Sequence, residues 1–208
     1  ECDIRNNEVM CCLLRNVDFK RDIIHAEGIL DVLDHTTPTL GHGSKLAIDL
    51  TNIEVSEEVA PCSLPDTFTP AGGIATINTE YLTKLNLVVA YADKECRERI
   101  DIESVLTTNP MCGVKYIAIF DNGATTMTAS DLLWIAAANT DPKRDITITE
   151  GIMVIDARSK RPGYGRNPQR FPNVVTSSPD AIALVDKRWE EYGIGKFIES
   201  PSRHYREL

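Results

Sequence analysis

The stretch DPKRDITITEGI, at Asp141–Ile152, repeats DFKRDIIHAEGI, at Asp18–Ile29, 123 positions upstream. Eight of the twelve positions are identical: Asp18/Asp141, Lys20/Lys143, Arg21/Arg144, Asp22/Asp145, Ile23/Ile146, Glu27/Glu150, Gly28/Gly151 and Ile29/Ile152. Each copy follows an apolar helical stretch that ends in an asparagine, Asn16 or Asn139. The unit reads as helix, D-x-K-R-D corner, strand, E-G turn and strand, which is an internal duplication of one supersecondary element. In the corner, Asp18 and Asp141 are placed to accept backbone N–H bonds of the turn, while the basic pair offsets the last helix carbonyls. Two copies followed by different loops favour a structural duty for the corner over direct chemistry.

Outward from the second copy, NLVVAYA (Asn86–Ala92) and KYIAIFD (Lys115–Asp121) are apolar almost throughout. They alternate with DIESVLTT (Asp101–Thr108) and TASDLLWIAAANT (Thr128–Thr140), which carry helix-start residues at Asp101 and at Thr128 or Ser130. Unbroken apolar strands between helices indicate strands buried on both faces. The expected fold class is therefore α/β: a mixed or mostly parallel sheet with helices on both faces, containing the duplicated helix–corner–strand unit. A last helix is expected from Ser178 and Pro179 to Gly193. In the first copy, Glu8–Arg15 reads as a helix, TTPTLGHGSK (Thr36–Lys45) as a loop and LAIDLT (Leu46–Thr51) as a strand. Asn52–Gly73 is irregular and proline-rich. It divides the chain into an expected region 1–73 and a second, degenerate α/β copy at 74–208 with a C-terminal helix and tail. The opening ECDIRNNEV has no initiator Met and reads like the end of a strand already under way, as in a fragment or a processed chain.

A net charge of −9 argues against a nonspecific nucleic-acid binder, and no apolar run has the roughly 18 residues a membrane helix needs. The six cysteines form no C-x-x-C pair, and the four histidines are not spaced with them as zinc ligands, so reduced thiols and no metal site are expected. A cytoplasmic setting follows from that cysteine usage. The paired carboxylates of EVSEEVA and EEYGIGKFIE read as solvated faces. Arg158, Lys160, Arg161, Arg166 and Arg170 make a basic patch that reads as a solvated loop or a contact for an acidic ligand.

The loops after the two corners differ. Setting Pro38 against Pro162 places Gly41 on Gly165, Gly43 on Asn167 and Lys45 on Gln169, so that only the first copy keeps a Gly-flanked lysine. Glycines let backbone N–H groups approach an anion closely, and a lysine adds a point charge, so Gly43, Ser44 and Lys45 are candidate phosphate contacts. The spacing is not that of a Walker A loop, and a tight turn with a solvated Lys45 accounts for the same residues.

From Val17 to Thr51 the sequence resembles the C-terminal region of UbiD-type decarboxylases. That family shows a helix, a D-P-x-R-D corner, an L-D-x-L-D-x-S/T-x-P segment and a G-x-G-x-K-x-G-I-D-A-T loop. The matching positions are Asp18, Arg21, Asp22, Leu30, Asp31, Leu33, Asp34, Thr37, Pro38, Gly41, Gly43, Lys45, Ile48, Asp49 and Thr51. The second copy resembles the same strand–helix–corner, with only Asp121 surviving from the family's acidic run; longer members of this sort are similar to the menaquinone-pathway enzymes. The resemblance implies nonoxidative decarboxylation of aromatic or unsaturated acids in quinone (menaquinone or ubiquinone) biosynthesis. It implies prenylated FMN held with Mn²⁺ or Mg²⁺ and K⁺ in the full-length enzyme, with none tightly bound to this fragment. It places Lys45, with Gly43 and Ser44 beside it, near the cofactor phosphate. The family's Glu-x-x-x-x-Glu pair, its Arg and its metal ligands find no counterpart here, so no catalytic residue is assigned. The expected partners are an upstream flavin-binding domain of the same protein and further copies in a homo-oligomer, with the fragment inactive alone. A noncatalytic assembly module is the competing expectation.

Overall fold

The computed structural model describes residues 7–31, 33–37, 39–55, 61–160, 174–200 and 202–205. By internal packing the chain forms two units, Glu1–Phe171 and Pro172–Leu208. The expected boundary at residues 73 and 74 lies inside the first unit.

The first unit opens with α1 (Asn7–Arg15), the first corner, and an antiparallel pair, β1 (Ile23–Ile29) and β2 (His42–Ile48). After the irregular connection come β3 (Ile74–Asn78), the short α2 (Leu82–Leu85), β4 (Leu87–Ala92), α3 (Ile102–Thr108) and β5 (Tyr116–Phe120). Then follow α4 (Ala129–Asn139), the second corner as α5 (Pro142–Asp145), β6 (Ile146–Thr149) and β7 (Ile152–Asp156). The second sheet is mixed, in the order β3-β4-β5-β7-β6. Its three inner strands are parallel and its two edges antiparallel.

Alternation explains the unbroken apolar runs. Val88, Ala90, Ile117, Ile119, Ile152 and Val154 share one core with Val105 of α3. Val89, Tyr91, Ala118 and Phe120 form the opposite core with Leu132 of α4. Each inner strand is thus buried on both faces. The helix starts fall where the sequence places them. Asp101 accepts from the Ser104 amide at 3.1 Å. Thr128 and Asp131 close a reciprocal capping box, which decides between Thr128 and Ser130.

Two strand expectations change. β1 runs through Glu27 and Gly28, so E-G is a turn only in the second copy, where Glu150 and Gly151 both have positive φ (51° and 77°). His42–Lys45, expected in a loop, belongs to β2.

In the second unit, α6 (Pro179–Lys187) begins at Ser178, whose side chain accepts from the Ala181 amide at 3.2 Å. It stops sooner than expected: a separate 3-10 turn, Trp189–Tyr192, ends at Gly193 in the left-handed region. A short α7 (Ser202–Tyr205) follows, and Arg203 pairs with Asp186 at 2.5 Å.

Candidate functional site

The two corners are built by the same bonds. The amide of the fifth residue donates to the first residue's carbonyl: Asp22 to Asp18, and Asp145 to Asp141, both at 2.8 Å. The fifth residue's carboxylate in turn accepts the first residue's amide, again at 2.8 Å in each copy. Between them the arginine forks the same carboxylate, Arg21 on Asp22 at 2.5 and 2.9 Å and Arg144 on Asp145 at 2.8 and 2.7 Å. This explains why D-x-K-R-D recurs: each side chain closes one bond of a turn that ends a helix and starts a strand. The Arg21 fork, helped by the Asp18 amide, holds the Asp22 carboxyl below the usual carboxylate range.

The strands that leave the corners fix the true correspondence of the copies. Ile23 pairs with Ile48, and Ile146 with Ile155. Ile48-Asp49 therefore corresponds to Ile155-Asp156, and Lys45 to Ile152, since Ala26 pairs with Lys45 as Thr149 pairs with Ile152. Asx turns follow in both copies: Asp49 accepts from Thr51 N and Asp156 from Arg158 N. The alignment of Lys45 with Gln169 is thereby overturned. The second copy closes its hairpin at Glu150-Gly151 and has no counterpart of residues 27–44, and the shared E-G pair occupies different structural positions. Pro38, Pro162, Gly165, Asn167 and Gln169 lie outside the described residues.

The extension that only the first copy has carries all three candidate residues. Gly43 and Ser44 do meet an anion, and it is Asp141 of the second corner. Ser44 donates its amide to Asp141 Oδ2 at 3.0 Å and its hydroxyl to Oδ1 at 2.8 Å. The Ser44 hydroxyl also accepts the Lys143 amide at 2.8 Å, and Lys143 Nζ pairs with Glu27 at 2.6 Å, directly across the hairpin from Ser44. Ser44 and Asp141 are each 1% exposed. A Cβ on Gly43 would lie 2.6 Å from Thr37 Cγ2 and 2.9 Å from Asp141 Oδ2, so the glycine is what lets the carboxylate approach.

Lys45, the next residue on β2, is on the other face. Its side chain is 60% exposed and its ammonium pairs with Asp34 at 2.5 Å. Partial burial pushes the Asp34 carboxyl up, but the hydrogen bonds from Lys45 and Thr36 together hold it below the usual range. An ammonium has three donors, so Lys45 keeps donors for a phosphate oxygen beside Asp34. The donors of Ser44, by contrast, are already committed to Asp141. Of the three candidates, Lys45 alone is exposed, while Gly43 and Ser44 are buried.

The second corner adds a buried ionic cluster that the sequence did not disclose. Lys160 is fully buried; it donates to the carbonyls of Asp156 (2.6 Å) and Arg158 (2.8 Å) and lies 3.6 Å from Asp145. Burial pushes its ammonium down against the opposing pull of Asp156 and Asp145. Arg158 pairs with Asp156 at 2.8 Å. These two residues are not part of a solvated basic loop, because the buried Asp145 and the partly buried Asp156 draw them inward; Arg161, Arg166 and Arg170 lie outside the described residues. His35 and His42 are exposed, as are Glu190 and Glu191. Among the described residues no His, Cys, Asp or Glu group could hold a metal ion, and no helix is long and apolar enough to cross a membrane.

Residues 1–50 match the family model of the 3-octaprenyl-4-hydroxybenzoate carboxy-lyase C-terminal domain. An uncharacterized protein of Aquifex aeolicus (strain VF5) is 30% identical over 98 residues, covering 38% of this chain and 20% of its own length. An evolved dimeric form of the UbiD-class enzyme HmfF from Pelotomaculum thermopropionicum, in complex with prFMN, aligns over 55% of this chain and 26% of its own at 20% identity, with a TM-score of 0.37. The Sedimentibacter hydroxybenzoicus vanillic acid decarboxylase, in open form, aligns over 58% and 29% at 17% identity, with a TM-score of 0.39. The chain spans about a fifth of the length of that curated relative and under a third of these structures. The matched residues 1–50, which carry the first corner, the hairpin and the G-x-G-S-K strand, are thus similar to the C-terminal domain of the 3-octaprenyl-4-hydroxybenzoate carboxy-lyase family.

Proposed function

We propose that this chain supplies the C-terminal part of a prenylated-FMN-dependent, nonoxidative carboxy-lyase acting on aromatic or unsaturated acids in cytoplasmic quinone biosynthesis. The match of residues 1–50 carries this reading. Lys45 supports it, as an exposed ammonium on the free face of β2, oriented by Asp34. In this reading Lys45 reaches the cofactor phosphate, and Gly43 and Ser44 serve by shaping and fastening its strand. When bound, the prenylated flavin supplies an electron sink for the charge left as CO₂ departs. In this reading the divalent metal and K⁺ are held by the upstream flavin-binding domain. Further copies of the protein complete an oligomer.

The test is Lys45→Ala in the full-length protein that carries this chain. FMN affinity is expected to fall about tenfold or more, the size of one charge-assisted contact. An unchanged affinity refutes the cofactor role. A noncatalytic assembly module is the second reading, and exposed apolar side chains in the second unit favour it: Val175, Leu184, Ile194, Phe197 and Ile198. Under that reading Lys45→Ala leaves FMN affinity intact, while Leu184→Glu lowers the oligomeric state seen by sedimentation.

A further inference from the structure

We infer that the second copy's corner is a clamp that positions Lys45, with Asp141 as the positioning residue. This rests on the reading that Lys45 meets a flavin phosphate.

The hairpin beyond Ala26 and Lys45 is a two-stranded ribbon, and such a ribbon is marginal on its own. Its exposed aliphatic residues, Ile29, Leu33 and Leu40, give it no core. What fixes it is one rung, Glu27 opposite Ser44, which the second corner grips on both strands. Asp141 takes the Ser44 amide and hydroxyl, the Lys143 amide donates to the Ser44 hydroxyl, and Lys143 Nζ takes Glu27. Lys45 follows Ser44 directly, on the opposite face. With Ser44 buried and held by three hydrogen bonds, the starting point of the Lys45 side chain is fixed, and Asp34 then sets its ammonium. Less ordering is left to occur when a ligand arrives.

The first corner shows that this grip is separate from building a corner. Asp18 closes the same backbone bonds, yet its carboxylate is exposed and, among the described residues, accepts the local Lys20 amide at 2.8 Å. A corner therefore forms without a carboxylate docked across the molecule. The side chain of Asp141 has a second task, and the glycine at 43 is shaped to receive it. The second copy lacks an extension of its own because it serves the extension of the first.

FMN is titrated against the full-length protein in four forms: wild type, Asp141→Asn, Lys45→Ala and the double variant. The expected pattern is at least a threefold loss of FMN affinity for Asp141→Asn in the wild-type background and no further loss in the Lys45→Ala background. Hydrogen exchange adds a cofactor-free readout: the residue 44 amide should exchange at least tenfold faster in Asp141→Asn. Ser44→Ala is the milder second variant and should show the same dependence on Lys45 with a smaller loss. Equal losses in both backgrounds overturn the clamp, as does no loss in either, while a weakened Lys45→Ala leaves the cofactor reading standing. If Lys45→Ala itself binds FMN normally, the cofactor reading fails, and faster exchange at residue 44 would then mark Asp141 as structural only.

Discussion

Gly28 and Gly43 face each other across the β1–β2 ladder, yet alanine at the two positions should have opposite effects. At Gly28 a Cβ meets nothing within 4 Å. Removing a glycine from a strand interior there should stabilise by about 0.5–1 kcal/mol through the unfolded chain. At Gly43 a Cβ would lie 2.6 Å from Thr37 Cγ2, 2.9 Å from Asp141 Oδ2 and 3.0 Å from Leu30 Cδ1. Overpacking of this kind costs about 1–3 kcal/mol. Asp141 can step aside only by lengthening its bonds to Ser44, each worth about 1.5–3 kcal/mol as a hydrogen bond to a charge. A net loss of roughly 2–4 kcal/mol follows, or a Tm lower by roughly 5–15 °C for a unit of this size. Urea unfolding of the two variants, followed by far-UV circular dichroism, measures the difference. Thr37→Ser removes the nearest clashing methyl and should restore part of the loss in a Gly43→Ala background. If Gly43→Ala proves as mild as Gly28→Ala, the close seating of Asp141 against β2 is wrong, and with it the reason given for the glycine.

Asp145→Asn should cost about 3–5 kcal/mol, because it leaves the buried Arg144 guanidinium without its carboxylate and Lys160 with Asp156 as its remaining carboxylate neighbour. Its twin Asp22→Asn should cost less, since Arg144 is 8% exposed and Arg21 50%; paired urea melts compare the two. Thr128→Ala removes the capping box of α4 and should lower stability by about 1 kcal/mol in the same assay. Asp34 has a folded-state pKa below its unfolded one, so its contribution is present above about pH 4 and lost as the pH falls through the folded value. Unfolding free energies between pH 7 and 3 should show the wild type's advantage over Asp34→Asn, up to about 1 kcal/mol for an exposed pair, vanishing at the acid end.

The sheet was legible because its inner strands are covered on both faces, and Leu87–Ala92 and Tyr116–Phe120 write that burial directly into sequence. The caps at Asp101, Thr128 and Ser178 were legible for a local reason: donor and acceptor lie three residues apart. The repeat was visible too, and its D-x-K-R-D core corresponds to one set of bonds. Its downstream alignment failed because identity at Glu27-Gly28 and Glu150-Gly151 hides different backbones, extended in one copy and left-handed in the other. Only strand register shows that residues 27–44 are an insertion. The glycine-rich segment reads as a phosphate contact; the structure shows that it also receives a protein carboxylate from 97 residues away, at Asp141. Gly43 was the available signal, since a strand glycine often marks a close approach. The burial of Lys160 was not legible because it depends on Asp145 of the second corner as well as on nearby Asp156.

The opening strand of the second copy also completes the first copy's helix. Lys115 Nζ and the Tyr116 hydroxyl donate to the terminal carbonyls of Arg15 and Leu14 at 2.8 and 2.7 Å, and the Tyr116 ring stands edge-on to Phe19. Severing the backbone between the two repeats should therefore yield a nicked molecule whose pieces stay joined, because parting them would bare helix carbonyls on one side and a desolvated ammonium on the other. The two recitations of one motif thus share their hydrogen bonding within the first unit, and neither can be expressed alone without losing groups that finish it.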